Sequence, residues 1–488
     1  MTPLHLTTLS PETIHKIIDE ALALIVDPGI RVHNPQALNL LAEAGAEVDF
    51  SAQIAHIPEA LVRRALESVP KTFYLYNLDG QPVVQYGGDA VHFDPGSTAV
   101  TILDSLSGAQ RPPVTADLVK LVRLVEMLPQ YNAQSTALIC RDVPEGMGDL
   151  YRLYLALNEM RKPIITGAFG KQTWWTMYEM LVVAAGSEAA LAEKPLAVFD
   201  VCPTPPLLWS DLTCQNLIDC ALKGVPAELI SMPLAGATAP VTLAASVVQH
   251  TAENLSGLVI SQSARAGAPV VWGGAPAAFD MRHGTTPMGD PATWLIDLAY
   301  VQVGKALGLP THTYMGSSDA KTLDMQAGME SSNGALLAAL AGVNMVSGAG
   351  MLDYLRCQSL EKLVIDAEII RMARRVAAGI EIRDEPIALE IMRRSGHRAD
   401  YLSQPHTHRW FRKELPMPSE VIDRSPLEAW EKAGRSTTVE RAQARMQTLL
   451  AAYEPNALST EQRAALHEIT LRAARQNGLD QLPDRTLL

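Results

Sequence analysis

The chain has 488 residues, of which 48% are hydrophobic and 19% charged, the composition of a globular protein with a large core. Its 53 acidic residues outnumber its 40 basic residues, so the formal net charge is −13. Because this negative net charge repels nucleic acids and anionic membrane surfaces, neither is expected as a partner.

Helices and a small sheet are predicted at the start of the chain. Residues 10–27 have a serine cap, a proline in the first turn and apolar residues at helical spacing. Two more helices are predicted before residue 70, and residues 73–93 are typical of an antiparallel sheet. We therefore predict that residues 1–96 form a cap of helices and hairpins.

From residue 97 onward, short apolar segments alternate with amphipathic helices. Near-continuous apolar strands of this kind are typical of parallel sheets. The count of eight βα units predicts a closed (β/α)8 TIM barrel over residues 97–380, since a doubly wound open sheet usually stops at about five to seven strands. The predicted strands are residues 99–103, 134–139, 163–167, 196–200, 228–232, 269–272, 312–315 and 344–347.

Residues 381–488 are predicted to form a C-terminal helical extension, with a polar and aromatic first part and two helices at its end. The five cysteines are scattered and form no CxxC pair, and no leader-like segment opens the chain. The most apolar run, residues 336–345, is too short to cross a bilayer. We therefore expect a cytoplasmic protein that does not span a membrane.

The loops after the predicted strands lack the familiar catalytic motifs. Neither a G-x-S-x-G elbow nor a glycine-rich phosphate-binding motif follows a strand. Cys140, Cys202 and His283 are conceivable zinc ligands, but no close pair reinforces them, so no bound metal is expected. Many of these loops are rich in Gly, Pro, Ser and Thr, which either turn the chain or let its backbone lie close to a large flat ligand.

Two later segments resemble one known family. Residues 316–352, GSSDAKTLDMQAGMESSNGALLAALAGVNMVSGAGML, are similar to the signature region of the trimethylamine methyltransferase family. The similarity extends in order and spacing from about residue 10 to about residue 455. Within residues 401–424, the residues that match the C-terminal pattern of that family are His406, Thr407, Arg412, Glu414, Pro418, Asp423 and Arg424.

The resemblance implies a TIM barrel that moves a methyl group from a methylamine-type donor to the cobalt of cobalamin, a corrinoid carried by a separate protein. Archaeal trimethylamine enzymes carry pyrrolysine, whereas this chain has only standard residues near positions 329–334. It therefore resembles the non-pyrrolysine branch, whose donors are quaternary amines such as glycine betaine. The implied partners are a small quaternary or methylated amine and a corrinoid protein, and a homo-oligomer is also allowed.

The chemistry of the donor agrees with that branch. A quaternary ammonium leaves as a neutral amine, so neither a proton nor a metal has to activate it, whereas a tertiary amine needs activation. The enzyme then has to orient one N-methyl group and exclude water from the reduced cobalt.

Aromatic faces with a nearby carboxylate usually hold a quaternary ammonium, which has no N–H to donate. Trp272, Phe279 and Tyr314 lie at or just beyond predicted strand ends and are the cage candidates, with ordinary packing as the alternative. Asp200 is either the partner of the cation or a helix cap. The other substrate-binding candidates are His283, Arg282, Lys321 or the backbone at Ser317 and Ser318 for a carboxylate, Gln326 and Glu330 on one helix face, and Asn344 inside an apolar strand.

Small and polar residues of two adjacent loops are predicted to let the corrin ring reach the barrel mouth. These cofactor-binding candidates are Gly316, Ser317, Asp319, Gly348, Gly350 and, in the extension, His406. Asp319 alternatively caps the following helix, and His406 alternatively packs the extension against the barrel. The acidic loops 280–291 and 316–321 are candidates for docking the corrinoid protein.

Two other interpretations stay open at this stage. A zinc-dependent corrinoid methyltransferase with another donor, such as a thiol or methanol, would need an H-x-C…C arrangement that we do not find. A non-catalytic scaffold that binds a betaine or the corrinoid protein would not transfer a methyl group to cob(I)alamin.

Overall fold

The structure is a computed structural model that describes residues 4–96, 98–105, 107–398, 400–455 and 458–485, so the predicted domain limits at residues 1, 97 and 488 lie outside it. The strands are β1 (Ile30–Val32), β2 (Glu47–Asp49), β3 (Ile54–His56), β4 (Phe73–Tyr76), β5 (Pro82–Tyr86), β6 (His92–Pro95), β7 (Thr101–Leu103), β8 (Gln110–Arg111), β9 (Gln134–Ser135), β10 (Ile164–Thr166), β11 (Ala197–Val201), β12 (Leu208–Trp209), β13 (Ala227–Ser231), β14 (Leu234–Ala235), β15 (Val270–Gly274), β16 (Ala277–Ala278), β17 (His312–Thr313), β18 (Met345–Ala349), β19 (Met351–Leu352) and β20 (Cys357–Gln358).

The α-helices surround these strands and also form both ends of the chain. They are α1 (Pro11–Val26), α2 (Pro35–Ala44), α3 (Glu59–Ser68), α4 (Thr115–Met127), α5 (Gly148–Glu159), α6 (Lys171–Ala185), α7 (Glu188–Glu193), α8 (Asp211–Lys223), α9 (Leu243–Ala264), α10 (Pro291–Ala306), α11 (Met325–Leu340), α12 (Leu360–Ala377), α13 (Leu389–Ser395), α14 (Pro405–Glu414), α15 (Leu427–Lys432), α16 (Thr438–Ala451) and α17 (Thr460–Gln476).

Eight parallel strands close into the predicted (β/α)8 barrel. One run of pairings has the order β15-β13-β11-β10-β9 and the other has the order β17-β18-β6. A parallel bridge between Trp272 and Thr311 joins the runs at one side. At the other side, β6 lies beside β9, and the backbone N–H of Asn132, just before β9, donates a hydrogen bond to Phe93 O in β6 at 2.9 Å. Strands in such a barrel direct alternate side chains into the lumen, and the loops at their carboxyl ends form the mouth.

The first strand of the barrel is β6, not the predicted segment 99–103. Part of that segment forms β7, which pairs with β20 and β8 in a small sheet beside the mouth. The sequence of β6 did not predict a buried strand because it contains His92 and Asp94 and ends in a proline. Its polar residues belong to a polar layer inside the lumen, so the rule that parallel strands are apolar fails here. The division of the chain into three domains stays a prediction.

The β4–β5 hairpin closes the amino-terminal end of the barrel. Its residues Leu75, Val84 and Tyr86 are buried in one cluster with side chains near the start of the barrel strands, namely Ala133, Ile165, Val198, Val271 and Met345. Burial of this apolar floor leaves the carboxyl end as the open side of the lumen.

The remaining helices pack on the outside of the barrel. Helices α1, α2 and α3 lie against α9, while α16 lies on α12 and α4, and α17 lies on α5 and α6. Within the described ranges, no helix has both the length and the apolar character that a membrane crossing requires. Helices α13, α14 and α15 differ from the others, because none of their described residues is buried.

Candidate active site

A cavity of about 510 Å³ lies at the carboxyl ends of the barrel strands. Its size suits a small molecule. Most of its wall is apolar, with a few polar groups among the lining residues, which are Thr98, Gly167, Ala168, Phe169, Asp200, Val201, Cys202, Leu212, Thr213, Asn216, Ile230, Met232, Ala275, Tyr314 and Leu355. This is the location in which barrel enzymes carry their active sites.

Asp200 is the acidic group of the cavity wall. It lies on β11, and its Oδ2 accepts a hydrogen bond from the Tyr314 hydroxyl at 3.4 Å. Among the residues that the structure describes, Asp200 Oδ1 has no hydrogen-bond partner, and neither has Oδ1 of Asn216 on α8. Burial, followed by the nearby carboxyl of Glu228, raises the pKa of Asp200 well above its usual range. The two oxygens without a partner, Asp200 Oδ1 and Asn216 Oδ1, are therefore available to a cationic ligand.

A polar layer lies between the cavity and the apolar floor. Glu228 pairs with Asp200 in the strand register, and its Oε2 accepts a hydrogen bond from Tyr86 at 3.2 Å. His312 Nδ1 lies 3.0 Å from Glu228 Oε1, and His312 Nε2 lies 2.9 Å from Ser347 Oγ. Burial also raises the pKa of Asp94 well above its usual range, and Glu228 and Asp200 add to that effect. Three interacting carboxyl groups thus make this part of the lumen favourable for positive charge.

Arg152 supplies a buried donor beside the cavity. This α5 residue donates from Nη1 to Thr136 O at 2.6 Å and to Thr98 Oγ1 at 3.3 Å, and Thr98 lines the cavity. Its guanidinium lies 4.7 Å from the ring centre of Phe169, another lining residue. Within the described parts of the chain, Arg152 Nη2 is buried without a hydrogen-bond partner. Burial lowers the pKa of Arg152 to about 10, so the group stays cationic near neutral pH.

Only one of the three predicted cage residues lines the cavity. Tyr314 does, and its ring stands edge-on to His312. Trp272 is buried in the barrel wall, where its Nε1 donates to Tyr300 O at 3.0 Å and its ring packs against Gly304. Phe279 is half-buried beyond β16 and is not part of the cavity wall. The aromatic residue that the sequence analysis missed is Phe169, which is 48% exposed at the rim.

Ser318, Asp319, Gln326 and Glu330 form a separate polar cluster. Glu330 Oε2 accepts from Ser318 Oγ at 2.6 Å and from Asp319 N at 2.7 Å, while Glu330 Oε1 accepts from Gln326 Nε2 at 2.9 Å. The Asp319 carboxylate accepts from the backbone N–H groups of Met288 and Gly289, so it does not cap α11, a role taken by Asp324. The cluster ties the loop after β17 to α11 and to the loop before α10.

The glycines predicted to face a corrin ring instead bring two loops together. Gly316 N donates to Ser347 O at 2.9 Å, and a Cβ on Gly348 would lie 2.9 Å from Ser317 N. Gly350 N donates to Asp366 Oδ2 at 2.7 Å. All four of these predicted cofactor contacts, Gly316, Ser317, Gly348 and Gly350, are buried. Their small size is explained by the close packing of the two loops.

The last three predicted residues lie away from the cavity. Asn344 lies just before β18, where its Oδ1 accepts a hydrogen bond from Thr311 N and its Nδ2 donates to backbone carbonyls within residues 87–90. His283 is exposed, with its Nδ1 2.9 Å from Asp280 Oδ2. His406 is exposed on α14, and its Nε2 lies 3.3 Å from Asp384 Oδ2. Within the ranges described, no three or more His, Cys, Asp or Glu side chains are grouped as metal ligands.

The fold and the cavity define a barrel enzyme with a small-molecule site at its carboxyl mouth, acidic on one side and carrying a buried guanidinium on another. The model of the trimethylamine methyltransferase (MTTB) family matches residues 3–478. The chain belongs to that family and is a methyltransferase.

The alignments with its relatives cover nearly the whole chain. Trimethylamine methyltransferase MttB of Methanosarcina barkeri is 32% identical over 449 residues, which cover 91% of this chain and 90% of that protein. Glycine betaine methyltransferase of Desulfitobacterium hafniense is 29% identical over 472 residues, with coverages of 96% and 98%. The crystal structure of the monomethylamine methyltransferase MtmB from Methanosarcina barkeri matches with a TM-score of 0.56 at 11% identity, covering 91% of this chain and 88% of that one, and it supports the fold.

Proposed function

We propose that this methyltransferase takes its methyl group from a quaternary amine of the betaine type and passes it to cob(I)alamin on a corrinoid protein. The observation that carries the proposal is Asp200 Oδ1 in the cavity wall, which has no hydrogen-bond partner among the residues described and lies near Tyr314 and two further buried carboxyl groups, Glu228 and Asp94. A relative whose alignment covers 96% of this chain at 29% identity is named for glycine betaine, which supports this choice of donor.

The cation is held by charge and by an aromatic face, because it offers no N–H group. Asp200 faces the ammonium, and the Tyr314 ring covers one of its methyl groups. The binding of a fixed positive charge favours the ionised form of Asp200, so we expect the site to release a proton when it binds its donor. The mainly apolar wall excludes water from the remaining methyl groups.

Arg152 is the proposed partner for the carboxylate of the betaine. It is a buried guanidinium in contact with two residues of the cavity wall, and its Nη2 is free to donate within the part of the chain that the structure describes. Because Asp200 and Arg152 have opposite charges, together they favour a zwitterion over a simple cation such as tetramethylammonium.

The rim of the cavity fits a large apolar acceptor. Phe169, Met232, Val241 and Met281 are exposed on loops that follow barrel strands β10, β13 and β15, at the same end of the barrel as the cavity. These residues would border the corrin ring of the partner protein. When bound, its reduced cobalt supplies the nucleophile for the methyl carbon. The amine keeps the bonding electron pair and leaves as a neutral tertiary amine, so no proton donor is required of this chain.

Calorimetric titration with a matched pair of ligands tests the cation site. Glycine betaine and 3,3-dimethylbutanoate have the same shape and carboxylate, but only the betaine carries the positive charge. We expect the betaine to bind about 100-fold more tightly, since a buried charge pair contributes about 3 kcal/mol. Equal affinity for the two ligands would contradict an electrostatic role for the carboxyl layer.

A further inference from the structure

Residues 353–355, here called the left-handed turn, have an unusual backbone conformation. Asp353, Tyr354 and Leu355 have φ angles of 52°, 55° and 66°, in the left-handed region that favours glycine. A side chain in this region costs free energy at each residue, and residues other than glycine normally adopt it singly. In the described parts of the chain, the other non-glycine residues with positive φ do occur singly, and they are Gln53, Thr98, Leu207 and Arg435. Three such residues in a row therefore need support from their surroundings.

The left-handed turn joins β19 to β20, just after barrel strand β18. Its last residue, Leu355, lines the active-site cavity and packs against an apolar cluster that includes Tyr314 and Ile230. The strained backbone thus brings an aliphatic side chain to the part of the cavity wall that Tyr314 belongs to. Strain of this kind persists where the surrounding structure enforces it, and it is concentrated at sites whose side chains have to be positioned for function.

Lys321 holds the left-handed turn from the loop after β17. Its Nζ lies 3.2 Å from Asp353 Oδ1 and 3.7 Å from the centre of the Tyr354 ring, and it donates a hydrogen bond to Asp319 O. The backbone N–H of Asp353 donates to Ala320 O at 3.0 Å, so the turn and this loop are also joined through their main chains. One cation therefore contacts the side chains of the first two residues of the turn, which leaves the third at the cavity.

We propose that the left-handed turn is a size filter for the donor, in which Lys321 positions Leu355 so that the cavity accepts methyl groups, but not longer substituents, on the quaternary nitrogen. The inference rests on the proposed function, in which Asp200 faces the ammonium and Tyr314 covers one of its methyl groups. A longer substituent beside Tyr314 would meet the Leu355 side chain. One additional methylene in an apolar pocket changes binding about 10- to 200-fold, which is enough to select between donors of equal charge.

Calorimetric titration of Leu355→Ala with two betaines tests the filter. Glycine betaine and N,N,N-triethylglycine have the same charge and carboxylate, but all three nitrogen substituents of the second are one methylene longer, so no rotation of the ammonium avoids Leu355. We expect the wild type to bind glycine betaine at least about tenfold more tightly than the triethyl compound, and we expect Leu355→Ala to reduce that ratio at least about tenfold.

The outcomes separate this inference from the proposed function. If the wild type binds glycine betaine and Leu355→Ala leaves the ratio of the two dissociation constants unchanged, the size filter is overturned and the proposed function stands. A wild type that binds neither betaine would contradict both.

Two substitutions of Lys321 test whether the lysine acts through the left-handed turn. Methionine keeps an unbranched side chain without the charge, whereas arginine keeps a cation beside Asp353 and Tyr354. We expect Lys321→Met to reduce the ratio about threefold and Lys321→Arg to retain the wild-type ratio. Lys321→Met should have no further effect on the ratio once Leu355→Ala is present, because both act through the same side chain. A lysine with a purely structural role would change stability but not the ratio, and that result would overturn its positioning role.

Urea unfolding measures the strain in the left-handed turn without any donor. Leu355→Ala and Leu355→Gly remove nearly the same packing, but only glycine adopts a positive φ without strain. We therefore expect Leu355→Gly to unfold at a higher urea concentration than Leu355→Ala. Leu323, a partly buried leucine before α11 that is not among the residues with positive φ, provides the matched pair. There the order should be reversed, because glycine adds conformational freedom to the unfolded chain. If the glycine variant were the less stable one at both positions, the strained turn, and with it the filter, would be contradicted.

Discussion

Replacing Asp200 with asparagine is expected to weaken binding of the quaternary amine about 100-fold while leaving the fold intact. The substitution keeps the size of the side chain and its hydrogen bond with Tyr314 but removes the charge that faces the cation. Loss of one partner of a buried charge pair costs about 2–5 kcal/mol, and 1.4 kcal/mol corresponds to a factor of ten. Affinities measured by calorimetry for the wild type and the variant give the ratio directly.

The pH dependence separates this role from a purely structural one. Burial and Glu228 raise the pKa of Asp200, so the empty site holds a proton at pH values at which an exposed aspartate is ionised. A cation binds the ionised form, and wild-type affinity should therefore fall as the pH is lowered through that raised pKa. The acidic limb should begin well above pH 4, about the pKa of an ordinary aspartate. In the Asp200→Asn variant, the affinity should no longer depend on pH in this range. If the variant kept both the wild-type affinity and the wild-type pH dependence, Asp200 would not be part of the binding site.

Gly334→Ala is expected to destabilise the protein by about 3 kcal/mol, the upper part of the usual range for overpacking. Gly334 lies in α11, where a Cβ would approach the Met315 carbonyl oxygen more closely than the 3.0 Å below which real Cβ atoms do not come. The neighbour is backbone, so the helix or the strand end that carries Tyr314 has to move. Denaturant unfolding measures the loss, and the affinity for the amine should fall with it.

Gly328→Ala on the same helix is the matched control. A Cβ at Gly328 meets no atom within 4 Å. Alanine is favoured over glycine inside a helix by about 1 kcal/mol, so this variant should be slightly more stable than the wild type. If both substitutions changed stability in the same direction, the close approach of α11 to Met315 would be contradicted.

The barrel was predictable because seven of its eight strands overlap the short segments that alternate with amphipathic helices in the sequence. The exception was β6, because its residues His92 and Asp94 are polar and are as typical of a loop as of a buried strand. Polar residues inside barrel strands are the signal that was underused. Asn344 was noticed for that reason, yet Glu228 and His312 also lie within strands and form the polar layer under the cavity.

The site was only partly predictable because the position of a residue in the sequence does not show whether its side chain points into the barrel lumen or outward to the helices. Asp200 and Tyr314 were predicted and both line the cavity, whereas Trp272 alternates outward into the helix layer. Arg152 and Asn216 come from helices, and no strand-end rule could bring them to the mouth. The small residues of 316–350 were noticeable in the sequence, but a glycine that serves loop packing looks the same there as one that serves a ligand.

The most direct test of the account is methyl transfer to free cob(I)alamin by the purified chain, followed by the absorbance of the cobalt. With glycine betaine as donor, we expect one dimethylglycine to form for each cobalamin methylated, and we expect dimethylglycine itself to be inert because its nitrogen does not carry a fixed charge. If betaines of every type stay intact under these conditions, or if a tertiary amine is consumed instead, the central claim is contradicted.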